Sequence, residues 1–226
     1  MVCLWCDEEI IIDIHWGNLF LLDRPKQICS QCESELEMIT QPHCKFCSRH
    51  SKDSICSDCN WWKNNVTNDP LLKNISIYTY NDVMRDIIAK WKYRGDYVLI
   101  HMFRHVFRDV FIKQFASYAK EALIVPIPLS TERLKERGFN QAEALAKLLP
   151  GEIANILIRK HSEKQSKKTR AERLSSNNPF IMKEKINKRV ILVDDIYTTG
   201  TTLRHAAEIL RDNGCPVVDA YTLIRG

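Results

Sequence analysis

The 226-residue chain has no apolar run near the roughly 20 residues that a bilayer-spanning helix needs, so no membrane insertion is expected. Its start, MVCLWCDEEI, lacks the basic flank and apolar core of a secretory signal, which points to a cytoplasmic protein. Glycine is scarce, at seven residues, and neither G-x-x-x-x-G-K-S/T nor G-x-G-x-x-G occurs. A P-loop nucleotidase and a dinucleotide-binding Rossmann site are thereby excluded, and an acidic strand end has no Walker A partner to serve as a Walker B. Only one cysteine, Cys215, lies beyond residue 60; beside Pro216 it reads as a small core residue.

The other eight cysteines are crowded into the first 60 residues as four CxxC pairs: Cys3/Cys6, Cys29/Cys32, Cys44/Cys47 and Cys56/Cys59. A disulfide scaffold needs an oxidising compartment, and a thioredoxin-type CxxC would occur once. Each pair aims two thiolates at one ion, so two pairs complete a tetrahedral site, with iron–sulfur as the alternative to zinc. Sequential pairing closes the shorter loops and is expected, giving Cys3, Cys6, Cys29 and Cys32 one zinc and Cys44, Cys47, Cys56 and Cys59 another. A cross-braced arrangement is the alternative. Residues 1–60 therefore read as a double zinc ribbon whose two structural ions supply much of its stability.

Apolar residues at 45% and charged residues at 27% describe a globular protein. The charge is unevenly spread. Residues 1–60 hold five Lys/Arg against ten Asp/Glu, net −5; residues 61–226 hold 28 against 18, net +10. Anionic partners should meet the second part first. Residues 61–74, WWKNNVTNDPLLKN, read as a linker whose tryptophans pack on a neighbour.

From Ile75 strands and helices alternate. Strands are expected at Ile75–Tyr80, Ala122–Ile127, Ile153–Ile158, Val190–Asp194 and Val217–Leu223. Asn81 should cap a helix to about Trp91, and 97–118 should be helical on a face through Val98, Met102, Val106 and Val110. A helix from Ser130 to about Leu149 should break at Gly138 and restart at Asn140. Another should run over Thr202–Asp212, while the polar stretch 159–179 reads as a long loop. The order predicts an α/β fold with a parallel sheet flanked by helices over residues 75–226.

The segment VILVDDIYTTGTTL, residues 190–203, carries the chemistry. A buried strand delivers Asp194 and Asp195 at its C-terminal end, where such sheets place ligands. Thr198, Thr199, Gly200, Thr201 and Thr202 then lead into a helix, and their amides and hydroxyls make a nest for a phosphate. The carboxylates repel phosphate but accept hydrogen bonds from vicinal hydroxyls. A sugar phosphorylated at one end fits both halves.

That segment resembles the phosphoribosyl-pyrophosphate (PRPP) fingerprint of type I phosphoribosyltransferases. With VPIPLSTERLKERGFNQAEALA (125–146), KYRGD (92–96) and the CxxC-rich start, nearly the whole chain resembles the ComF family of late-competence proteins. QSKKTRAERLSSNNPF (165–180) is similar to that family's flexible-loop segment in divergent form. The resemblance implies a type I phosphoribosyltransferase core that binds PRPP with Mg²⁺, and a role in natural transformation. It implies single-stranded DNA as a partner, and other competence proteins such as a ComFA-like helicase. It assigns Asp194 and Asp195, the candidate catalytic pair, to the ribose hydroxyls and Thr198–Thr202 to the 5′-phosphate. Pro126–Ser130 takes the place of the pyrophosphate turn, with Arg133, Arg137, Asn140 and Gln141 just behind it. Arg137 and Asn140 suit pyrophosphate, though an arginine on a helix often only faces solvent. Lys164, Lys167, Lys168, Arg170 and Arg173 are candidates to close over pyrophosphate. Catalysis, if it occurs, displaces pyrophosphate at the anomeric carbon. Two readings follow: a competence protein that binds PRPP and DNA, or an active phosphoribosyltransferase of nucleotide salvage or synthesis.

Overall fold

The computed structural model describes residues 1–11, 26–160 and 178–226. Four apolar residues in a row, Val190 to Val193, are fully buried because the strand they open, β6 (Val190–Tyr197), sits inside a parallel sheet. Its neighbours are β2 (Leu123–Pro126) and β7 (Val218–Arg225); β1 (Asn74–Thr79) and β3 (Glu152–Ile153) form the edges. The spatial order is β1-β7-β6-β2-β3, and every pairing is parallel. Parallel strands covered on both faces read as unbroken apolar runs, which is why these were visible in the sequence.

Helix α3 (Asp82–Tyr93) starts where expected: the Asn81 side chain accepts from the Met84 amide at 2.9 Å. A 3₁₀ segment (Tyr97–Met102) and helix α4 (Arg104–Phe115) follow. Here the expected apolar face is corrected in part: Met102 is buried and Val106 and Val110 pack against the core, but the deepest positions are others. Val98 is exposed, while Phe103, Phe107, Phe111 and Phe115 are wholly buried at a spacing of four. A shift of one position turns a helix by about 100°, and burying four phenyl rings, each worth about 1.5–3 kcal/mol, outweighs burying valines. Phe107, Phe111 and Phe115 all pack on Tyr221 of β7.

Ser130 caps α5 (Thr131–Arg137), which ends at Gly138 with a left-handed φ of 77°. Asn140 then caps α6 (Gln141–Ala146), the predicted break and restart. The strand expected over 153–158 is two strands. After Ala154 donates to the Ile124 carbonyl, the chain leaves the sheet at Asn155. It then forms β4 (Leu157–Arg159), antiparallel to β5 (Phe180–Met182). A continuous apolar run cannot by itself reveal such a departure. Of the loop expected over 159–179, residues 161–177 lie outside the described residues. Helix α7 (Thr201–Asp212) closes the site, and Cys215 is buried, as expected for a core residue.

The N-terminal segment is more helical than its composition announced. In each half a CxxC turn flanked by an antiparallel bridge (Val2 with Glu9, His43 with His50) is followed by a CxxC that opens a helix. These helices are α1 (Ser30–Ser34) behind Cys29 and α2 (Ser57–Asn65) behind Cys56. The stretch expected as a linker thus begins as the last five residues of α2. Trp62 is buried and Trp61 partly exposed.

Candidate functional site

The carboxyl ends of β6 and β2 and the start of α7 surround a cavity of about 290 Å³. Asp194, Asp195, Thr198, Thr199, Thr201 and Thr202 line one side of it. Lys92, Arg133, Arg137 and Arg159 supply four cations around the remainder, and Ile127 and Leu129 the apolar part. Open α/β sheets gather their ligands where strand ends and a helix start converge, as they do here.

The two carboxylates differ in state. Burial, and after it the charge of Asp195, pushes the Asp194 carboxyl up to about 8. Burial acts on Asp195 in the same sense, yet the Lys92 ammonium, in an ion pair with it, outweighs this and holds the carboxyl below its ordinary value. Two adjacent acids in one pocket cannot both ionise freely with one cation between them. The Asp195 amide donates to Asp194 Oδ1 at 2.9 Å and the Ile196 amide to Asp195 Oδ1 at 3.0 Å, which fixes both side chains. Burial and then the charge of Arg133 draw the Arg159 guanidinium below its ordinary value, against the opposing pull of Asp194.

The turn Thr198–Thr202 is one that glycine permits. Gly200 has φ 81°, and a Cβ there would meet Tyr197 Oη at 2.2 Å and Arg204 Nη1 at 2.4 Å. Thr199 Oγ1 lies 2.9 Å from Thr201 Oγ1, so the hydroxyls of the turn are already organised against one another.

Several sequence candidates do not meet at this cavity. Asn140 spends its side chain on structure: Oδ1 accepts from the Ala142 amide at 3.1 Å and Nδ2 donates to the Ile127 carbonyl at 3.0 Å. It lines a smaller neighbouring cavity with Pro126 and Pro128. Gln141 accepts from Arg137 Nη1 at 2.8 Å and so steers that arginine without lining the cavity itself. The loop bases Lys164, Lys167, Lys168, Arg170 and Arg173 lie outside the described residues. Sequence reasoning missed Lys92 and Arg159 as site residues. The KYRGD segment that holds Lys92 stood out as a motif, but nothing in it announces an ion pair with a residue about a hundred positions away.

The eight cysteines gather into two groups of four: Cys3, Cys6, Cys29 and Cys32, and Cys44, Cys47, Cys56 and Cys59. In each, all four sulfurs lie within 4.8 Å of one another, so the pairing is sequential and not cross-braced. Cys6 and Cys29 sulfurs are 3.7 Å apart, and those of Cys47 and Cys56 are 3.6 Å apart. Tetrahedral zinc with Zn–S bonds of about 2.3 Å separates its sulfurs by about 3.8 Å, so the donor sets fit that metal. Although burial opposes it, amides of Cys6, Cys29 and Trp5 lower the Cys3 thiol to about 6. A hydrogen bond from Cys59, joined by the charge of Arg225, lowers Cys47 to about 5 against its burial. Burial and the neighbouring sulfurs push Cys32 and Cys56 up in turn, so four crowded thiols without a cation favour one thiolate per group, and a metal is what would let the others ionise.

Residues 134–226 match the phosphoribosyl transferase domain family. Over its full length the chain is 42% identical to the competence protein ComFC of Bacillus subtilis, 95% of which is covered. It is 33% identical, with both chains wholly covered, to the competence protein ComFC of Streptococcus pneumoniae. Competence protein F of Haemophilus influenzae is 28% identical, over 92% of this chain and 94% of that one. The order of parts is therefore shared from the first cysteine pair to the last strand, and the chain belongs to the family of ComFC competence proteins.

Proposed function

We propose that the cavity binds PRPP with Mg²⁺ and that the protein serves natural transformation in the cytoplasm, handling single-stranded DNA beside that ligand. The observation that carries the reading is the meeting, in one cavity, of the Asp194–Asp195 pair, the turn Thr198–Thr202 and four cations. The turn takes the 5′-phosphate through its amides, each bond worth about 1.5–3 kcal/mol. Asp194 and Asp195 accept from the ribose 2′- and 3′-hydroxyls, and Arg133, Arg137 and Arg159 face the pyrophosphate. Lys92 must then divide its charge between Asp195 and the incoming phosphates. Bound Mg²⁺ neutralises pyrophosphate charge and takes oxygens from the ligand, with the carboxylates in support. The two four-cysteine groups hold structural zinc.

DNA enters the reading through charge and family. Phosphate contacts need cations, and the net +10 of residues 61–226 provides them where residues 1–60, at −5, do not. Tyr93, largely exposed beside Arg137, offers a face for a base. A ComFA-like helicase is a fitting partner on the same grounds of family.

The second reading, an active phosphoribosyltransferase, is favoured by one feature: the carboxylates, turn and cations are all in place around one cavity, as displacement at the anomeric carbon requires. Calorimetry with Mg²⁺–PRPP tests the first reading. Changing both Asp194 and Asp195 to Asn should cost a few kcal/mol of affinity. Equal affinity for the wild type and this double variant overturns the assignment. Pyrophosphate release from PRPP across a panel of bases, with and without DNA, separates binding from catalysis.

A further inference from the structure

The second four-cysteine centre lies directly behind the phosphate loop. Trp62, on the helix that Cys56 opens and Cys59 sits in, donates its indole N–H to the Thr199 carbonyl at 3.0 Å. Arg225, at the end of β7, donates from Nη1 to the carbonyls of Tyr197 at 3.2 Å and Thr198 at 3.0 Å. Its other nitrogen, Nη2, lies 3.7 Å from the Cys47 sulfur. The carbonyls of Thr198 and Thr199 are thus held by Arg225, which touches the metal centre, and by Trp62 on its helix, while that of Tyr197 accepts from Arg225 and also from the Gly226 amide at 2.9 Å. In a trans peptide the N–H points opposite to its C=O. Fixing these carbonyls on the metal side turns the amides of Thr198, Thr199 and Gly200 the other way.

A second brace supports the first turn of α7. Arg204 stacks its guanidinium 4.2 Å from the centre of the Trp62 ring. It also forks onto Asp69, at 2.8 Å from Nη2 and 3.1 Å from Nε, and donates to Tyr197 Oη at 2.9 Å. The segment carrying the first centre is tied to the carboxyl end of β1, where Glu35 and Glu37 accept from Asn81 and Thr79, and among the described residues it makes no hydrogen bond to the loop.

We infer that Trp62 and Arg225 are positioning residues through which metal at Cys44, Cys47, Cys56 and Cys59 organises the phosphate loop, so that occupancy of this centre and affinity for PRPP are coupled. The inference rests on the PRPP reading above. Coupling between two sites is reciprocal: if the metal raises PRPP affinity, PRPP must raise metal retention by the same factor. The first centre, whose segment makes no hydrogen bond to the loop among the described residues, stays outside this linkage.

The test uses the full zinc-loaded chain. Trp62→Phe keeps the ring under Arg204 and removes only the N–H donor; Arg225→Lys keeps the charge but loses the fork. Each should bind Mg²⁺–PRPP about two- to tenfold more weakly, as the loss of one or two hydrogen bonds predicts, with two zinc ions still bound. In the wild type, saturating Mg²⁺–PRPP should slow transfer of one of the two ions to a colorimetric chelator. Maleimide labelling and peptide mapping should assign that ion to Cys44, Cys47, Cys56 and Cys59, and both variants should lose the protection. A residue that merely fills space does not make zinc release depend on PRPP. If the wild type binds PRPP but both variants bind it equally well, and zinc release ignores the ligand, the coupling is refuted and the PRPP site stands. If the wild type binds no PRPP, that reading falls and the coupling with it.

Discussion

At neutral pH the free protein holds Asp194 mostly protonated, because burial and Asp195 raise its carboxyl to about 8. A ribose hydroxyl donates more strongly to a carboxylate than to the carbonyl oxygen of a carboxylic acid, so PRPP favours the ionised minority. Apparent affinity scales with the fraction of competent protein. For a group titrating at about 8 that fraction is about 0.09 at pH 7 and about 0.9 at pH 9, so the dissociation constant should fall by up to about tenfold across this interval. The phosphate groups of the ligand have second ionisations near 6 and contribute little above pH 7. Binding at pH 7 should release about 0.9 proton, measured by calorimetry in two buffers of different ionisation enthalpy. Asp194→Asn keeps the acceptor that the Asp195 amide needs and should flatten the pH profile. Stability follows the same proton. The folded chain holds it up to about pH 8 while the unfolded chain releases it near 4, so folding weakens as pH rises through that window and levels off above it. Asp194→Asn should therefore melt at a higher temperature than the wild type at pH 8. Wild-type protein that binds PRPP with constant affinity from pH 7 to 9 and releases no proton refutes the reasoning.

Metal analysis should find two zinc ions per colourless chain, and Cys44→Ser should lose one of them; a single ion or a brown iron chromophore overturns the assignment. Gly200→Ala should lose at least roughly 1–3 kcal/mol of stability, since φ is 81° and the added methyl meets Tyr197 and Arg204. Normal melting and PRPP binding of that variant would contradict the packing described. A labelled single-stranded oligonucleotide should bind the full chain weakly, with log affinity falling linearly in log salt. Arg133→Gln with Arg137→Gln should make that slope shallower by about 0.7 for each phosphate that the protein no longer neutralises. An unchanged slope moves the DNA path away from the cavity rim.

The parallel core was legible because burial on both faces leaves unbroken apolar strands, and the caps Asn81, Ser130 and Asn140 announced their helices by side-chain chemistry. The cysteine groups and the acidic-pair turn were legible because their members are local: spacing alone brings Cys44 to Cys47 and Asp194 to Thr198. What escaped depends on partners distant in the chain. Val98, Val106 and Val110 looked like an internal face, but the choice of face was made by Tyr221, which three phenylalanines surround. Residues 153–158 looked like one strand because the partner that draws Leu157–Arg159 aside, Phe180–Met182, is only three residues long.

The most consequential omission follows the same rule. Trp62 and Arg225 are 163 positions apart, and neither lies in a motif that names a ligand. Each was unremarkable as a packing tryptophan or a strand-end arginine. Only the parallel placement of β1, β7 and β6 sets the knuckle of Cys44 and Cys47, through Asn74 and Ser76, over the end of β6. The turn there needs its carbonyls satisfied, because it packs between sheet and knuckle. A tryptophan N–H and an arginine fork meet that need from the knuckle side and leave the amides for an anion. The N-terminal module therefore braces the turn Thr198–Thr202 from behind, and on the proposed reading it completes a phosphate site without lining the cavity.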